Sequence, residues 1–217
     1  MQEQFCRWGV IFLLLTLLTA CGGRDANGDK PSSLPFKDDF TDQGNWHITS
    51  DPEVEIAYQD GGLSIQIKVL DRVAWTVSGR QFKDMAVDVD ATQVGGPDDN
   101  SYGLVARYQD DKHFYRFEVS GDGYYAIHAR DGQDWIPLVN WTESQAINRG
   151  QATNHLRVEC QETSLRFYVN GQLLHQVDDD RYRQGDVGLV AATLYSEPGT
   201  HILFKNFEVS NLEEESQ

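Results

Sequence analysis

Downstream of residue 21 the 217-residue chain has a single cysteine, Cys160; the other two are Cys6 and Cys21. No disulfide can therefore form inside the body of the protein, and its stability has to come from packing. Basic residues are also scarce: 18 Lys and Arg stand against 34 Asp and Glu, a formal charge of −16. A surface of that sign repels polyphosphate and anionic lipid, which argues against nucleic acid as a partner. From Phe36 onward no long stretch carries apolar residues at the 3.6-residue spacing of an amphipathic helix. The six histidines form neither an HxH nor an HExxH pattern, so there is no zinc signature, and no full EF-hand spacing occurs.

The one long apolar run is GVIFLLLTLLTA, residues 9–20. It is uncharged and shorter than the roughly 20 residues a membrane-spanning helix needs, so it reads as the hydrophobic region of an export signal. Leu18-Thr19-Ala20-Cys21 closes the run and resembles the bacterial lipobox. The resemblance implies cleavage before Cys21 and lipid on its sulfur, with the acyl chains holding the protein at a membrane. Gly22 follows, which resembles outer-membrane sorting in a bacterium with two membranes. The expected organisation is a leader over 1–20, a polar tether over 21–35, one β domain over 36–210 and an acidic tail over 211–217. The domain is thus expected to be extracytoplasmic, with the membrane met only through the anchor.

Period-two segments recur through the body of the chain. They fall at 54–58, 63–69, 74–77, 85–91, 102–108, 114–119, 124–129, 135–139, 155–160, 165–169, 172–177, 187–191 and 202–209. Turn residues separate them, among them Asp60-Gly61-Gly62, Gly121-Asp122-Gly123 and Asn170-Gly171. Asn-Gly between FYV and QLLHQV is a strong hairpin signal, because both residues accept the positive φ of a primed turn. About a dozen short strands without a long helix predict a sandwich or jelly roll. Alternation sorts the faces: Leu156, Val158 and Cys160 share one, His155, Arg157 and Glu159 the other, and Asp88 and Asp90 point away from Val87 and Val89. Cys160 is accordingly read as a small core hydrophobe.

Three successive strands, YGLVARY, FYRFEV and YYAIHAR, are expected to be neighbours. With Leu104, Ala106, Tyr115, Phe117, Tyr125 and Ile127 inward, the outward row holds Val105, Arg107, Phe114, Arg116, Glu118, Tyr124, His128 and Arg130. Two readings fit this row. Arginine forks beside aromatic rings suit a carbohydrate groove, and the same residues suit a solvated face of cross-strand ion pairs.

The strings DDFTDQGNW, VDVDATQVGGPDDNSYGLVARYQDDKHFYRFEVSGDGYYAI, TNHLRVECQETSLRFYVNGQLLHQVDD, VGLVAAT and ILFKNFEVS resemble the concanavalin A-like, laminin-G-like jelly rolls. These include the 3-keto-disaccharide hydrolase-like domains. The resemblance, over residues 36–209, implies an all-β sandwich of two antiparallel sheets with the first and last strands adjacent. It does not fix the function, since this architecture hosts binders and enzymes alike. The outward aromatic and arginine row, the membrane tether and the lack of a recognisable catalytic pair point to a surface-tethered module for glycan or cell-wall polymer, with a glycoside hydrolase acting on keto-disaccharides, or a structural or protein-interaction domain, as alternatives. Enzymes of this architecture can carry an E-x-D-x-x-E strand; the nearest string, from Val87 to Gln93, has Asp first and Gln93 last, which counts against that mechanism. A pair of Glu118 with Asp88 or Asp90 across strands stays open. Asp38, Asp39 and Asn206, on the strands the resemblance makes adjacent, have the oxygen chemistry of a structural calcium site. Clustered Asp and Asn, as in Asp98-Asp99-Asn100, is equally turn chemistry.

Overall fold

The computed structural model describes residues 31–41, 44, 46–194 and 197–212. The leader, Cys21, the first part of the tether and the end of the acidic tail lie outside the described residues. Fifteen strands run in chain order: β1 (Phe36–Asp38), β2 (Thr49–Ser50), β3 (Val54–Gln59), β4 (Gly62–Ile67), β5 (Arg72–Val77), β6 (Met85–Gly95), β7 (Asn100–Asp110), β8 (His113–Val119), β9 (Tyr124–Asp131), β10 (Asp134–Glu143), β11 (Thr153–Gln161), β12 (Ser164–Val169), β13 (Gln172–Asp178), β14 (Asp186–Thr193) and β15 (His201–Ser210). A nine-stranded sheet has the order β13-β12-β11-β6-β15-β4-β3-β2, with β1 also paired to β15. A six-stranded sheet has the order β10-β9-β8-β7-β14-β5. The fold is the all-β, two-sheet antiparallel sandwich of the concanavalin A-like jelly rolls, with the first strand against the last.

Each sheet buries one alternating face. Val87, Val89, Leu156, Val158, Cys160, Leu165 and Phe167 come from the larger sheet, and Leu104, Ala106, Tyr115, Phe117, Tyr125, Ile127 and Leu189 from the smaller. Phe117 and Phe167 meet across the layers, ring centres 5.8 Å apart. Burial pushes the Cys160 thiol up to about 11, in keeping with an inert core position. Asn170 and Gly171 turn the β12–β13 hairpin with φ of 51° and 80°. Leu34, assigned to the tether by its polar surroundings, packs against the core, and the Ser32 amide donates to the Gln81 carbonyl at 2.6 Å. Packing against the core thus includes residues before Phe36.

Two glycines shape the outer face of the six-stranded sheet. A Cβ on Gly103 would run into the Phe117 carbonyl of β8, and one on Gly188 into the Thr76 carbonyl of β5. These close approaches keep the centre of the face low and leave space above it for side chains of the flanking strands.

Candidate functional site

The outer face of the six-stranded sheet collects the unusual residues. In register, Gly103 of β7 faces Glu118 of β8, which faces Ala126 of β9; one pair along, Val105 faces Arg116, which faces His128. With only Gly103 and Ala126 beside it, the Glu118 side chain lies down against the sheet and is fully buried. Arg116 Nη2 donates to both its oxygens at 2.6 and 2.5 Å, Ser101 Oγ donates at 2.5 Å, and His128 Nδ1 lies 3.2 Å from Oε2. Since an ionised carboxylate only accepts, Nδ1 of His128 carries the proton. Burial alone would raise the Glu118 pKa. The Arg116 charge, followed by His128 and Ser101, outweighs it and holds the group at about 2.

An aromatic band adjoins this polar centre. The Phe114 ring packs against Trp75, Tyr108 and Trp135 at centroid distances of 5.3, 5.6 and 5.7 Å. The Arg116 and Arg130 guanidiniums lie 4.3 and 4.8 Å from the Trp135 ring centre, and His128 stands edge-on to Trp141 at 6.2 Å. At one end, Asp99, Ser120, Asp122, Tyr124, Trp141 and Leu194 line a pocket of about 190 Å³. At the other, Trp75 and Tyr108 border a second pocket of about 250 Å³.

Of the expected row, Phe114, Arg116, Glu118, Tyr124, His128 and Arg130 share this face. Arg107 does not. The β7–β8 register shifts after Ala106, and Arg107 takes a φ of 52°; this bulge turns its side chain out of the alternation and into the end of the sandwich. There it is fully buried, donating through Nη1 to the Glu162 and Tyr182 carbonyls at 2.6 and 2.8 Å, with Nη2 3.5 Å from Asp84. Phe114 is on the face but fully covered, so it supports the indoles above it rather than presenting a ring of its own.

Ion pairing and an aromatic surface, two alternatives in the sequence, coexist on this sheet. Glu118 does not meet Asp88 or Asp90, however. Those two project from the outer face of the other sheet, where His155 bridges them at 3.1 and 2.8 Å and Arg157 binds Asp88 at 2.7 Å. Hydrogen bonds to the two carboxylates, that to Asp88 foremost, hold the His155 pKa up at about 9.

The three calcium candidates carry hydrogen bonds of their own. Asp38 accepts from the Phe40 amide and Trp46 Nε1, Asp39 from the Thr41 amide and hydroxyl, and Asn206 donates to Asp90. Among the described residues no group of three or more His, Cys, Asp or Glu is placed to hold a metal ion. The Phe40 and Thr41 amides engage Asp38 and Asp39 through bonds two residues along the chain.

The sequence row missed Ser101, Trp75, Tyr108, Trp135, Trp141, Asp99 and Asp122. For the two β10 tryptophans, the usable signal was DWIPLVNW following β9 by a two-residue turn.

No family model matches the chain, and neither does any curated protein. Solved structures do. The carbohydrate-binding module CBM66 from Bacillus subtilis aligns with a TM-score of 0.63 at 16% identity, over 76% of this chain and 94% of that one. The fold is one shared by glycan-binding and glycan-cleaving β-sandwiches. The GlcNAcα1-4Gal-releasing endo-β-galactosidase from Clostridium perfringens aligns at 0.56 and 13% identity, over 80% of this chain and 61% of the enzyme. A β-glucanase from Bacillus licheniformis aligns at 0.59 and 9% identity, over 82% and 98%. Identities this low establish the fold alone.

Proposed function

We propose that this domain binds extracellular glycan on the outer face of its six-stranded sheet, held near its ligand by lipid on Cys21. One observation carries the reading. The exposed large aromatic side chains among the described residues are Tyr124, Trp135 and Trp141, 37–38% accessible, and all three stand on this face. Exposed rings beside fixed polar groups match the apolar faces and hydroxyl rims of sugars. Tyr124, Trp135 and Trp141 stack on sugar rings in this reading; Ser120, His128 and Arg130 supply polar contacts, and Arg116 and Glu118 brace the floor. The fold shared with a carbohydrate-binding module supports it.

The fold shared with glycosidases favours a second reading, cleavage of a glycoside such as a keto-disaccharide. Against it stands Glu118, which Arg116, His128 and Ser101 hold in the ionised form, the opposite of what a general acid near neutrality needs. A glycan-array screen of the full chain in detergent, followed by product analysis on each bound glycan, separates the readings. Selective binding without turnover supports the module, and turnover of a bound glycan establishes the enzyme. Absence of both leaves a structural or protein-interaction domain. Mass spectrometry of membrane-extracted protein tests the anchor: the mature chain should begin at Cys21 with acyl mass attached, and a free terminus elsewhere would refute it.

A further inference from the structure

Tyr124, Trp141 and Trp135 stand in a line, and its length sets the size of the ligand. We infer that this face takes a linear polysaccharide, laid lengthwise over β9 and β10 so that several consecutive sugar units are held at once, in preference to single sugars or disaccharides; this rests on the glycan-binding reading above.

Strand register fixes the line. Trp135 pairs with Arg130 near one end of β9, and Glu143, two residues past Trp141, pairs with Tyr124 at the other. From Tyr124 to Trp135 the row therefore runs nearly the whole length of β9, about 20 Å at roughly 3.3 Å per residue. Trp141 stands between, edge-on to His128 at 6.2 Å and sharing a pocket with Tyr124. All three rings are 37–38% accessible. One sugar ring reaches one end of such a row and not both, whereas a chain of linked units touches all three.

The direction follows from which rings are free. Across the strands the neighbouring aromatics are Phe114, Tyr108 and Trp75, but Phe114 is fully buried and the other two pack against it at 5.6 and 5.3 Å. Their surface serves the apolar cluster of Val105, Phe114 and Val190. Along β9 the outward positions alternate Tyr124, Ala126, His128 and Arg130, a small residue and two polar ones between the ring contacts. Rings spaced by polar groups suit the alternating apolar faces and hydroxyl rims of successive sugars. Arg116 and Arg130 lie 4.3 and 4.8 Å from the Trp135 ring centre and hold the indole in place, so little freedom is lost on docking. Because β10 is the border strand of its sheet, a long chain can lie along this row without meeting a further strand.

The experiment is calorimetric titration of the full chain in detergent with oligosaccharide ladders of one to six units. The ladders come from β-1,4-glucan, β-1,3-glucan, β-1,4-linked N-acetylglucosamine and α-1,4-galacturonan, with the strongest array ligand added where it falls outside these. For a class that binds, affinity should rise at least about tenfold from dimer to hexamer, more than the overlapping positions on a longer chain supply by statistics. Trp135→Ala should remove most of that rise and leave dimer affinity within about twofold, since a short ligand rests at the Tyr124 and Trp141 end, where the pocket is. Trp135→Leu, which keeps apolar cover over Phe114, takes its place if the alanine variant misfolds. Equal affinity for dimer and hexamer, or a full rise in a folded Trp135 variant, overturns the inference while the glycan-binding reading stands. No binding to any ladder, together with a blank array, overturns both.

Discussion

Replacing Glu118 with Gln keeps the shape of the side chain and removes its charge, so it isolates the ion cluster beneath the aromatic band. Glu118 is fully buried, and its nearest cation, Arg116, is itself buried and bound to both carboxylate oxygens. The folded-state pKa of about 2 lies below the ordinary 4.5, so the folded protein favours the ionised form. That gap corresponds to about 3 kcal/mol at roughly 1.4 kcal/mol per pH unit. The stabilisation is complete above pH 4.5 and is lost as the pH falls toward 2. Mutation gives a similar magnitude, since removing one partner of a buried pair leaves the other uncompensated at a cost of about 3–5 kcal/mol. For a domain of this size, about 3 kcal/mol lowers the melting temperature by roughly 6–12 °C. Urea and thermal unfolding of both proteins from pH 7 to pH 2.5 is the assay. Glu118→Gln should be less stable by about 3 kcal/mol at pH 7, with the difference shrinking below pH 4.5. A loss under about 1 kcal/mol at pH 7, or an equal acid dependence in both proteins, would refute the electrostatic account of this cluster.

Arg107→Ala should cost about 3–5 kcal/mol in urea unfolding, because the Glu162 and Tyr182 carbonyls lose their buried donor, and should leave glycan affinity unchanged. A loss of affinity without a loss of stability would return Arg107 to the binding face. Gly103→Ala should destabilise by more than about 2 kcal/mol, since its Cβ meets the Phe117 carbonyl, a backbone atom that cannot move aside cheaply. A neutral melting curve for that variant would show that β7 and β8 can spread.

Most of the sheet architecture was legible because alternation and turn chemistry are local. Thirteen period-two segments correspond to β3 through β15, whereas β1 and β2, at three and two residues, are too short to show a period. The inward residues of β7, β8 and β9 followed from the same alternation, which holds until a bulge interrupts it. Arg107 is such a case: nothing in Val105-Ala106-Arg107-Tyr108 signals a positive φ, which Gly, Asn or Asp would have advertised. Trp135 and Trp141 were hidden for a related reason. The β9–β10 register shifts twice, between Pro137 and Val139 and again before Thr142, so counting by twos loses the face. The Asp99, Asp122 and Trp141 pocket joins loops and strands distant in sequence, and only the folded chain brings them together. At Asp38 and Asp39 the local backbone donors are visible only in the folded chain.

The most direct test of glycan binding is the affinity of the full chain for its best array ligand, measured in Trp141→Ala beside a control, Leu173→Ala. Leu173 is an exposed hydrophobe on β13 of the other sheet. Glycan binding through the aromatic face predicts at least a tenfold loss of affinity, about 1.4 kcal/mol or more, in Trp141→Ala and none in Leu173→Ala, with both variants folded. Wild-type affinity in a folded Trp141→Ala protein would contradict it.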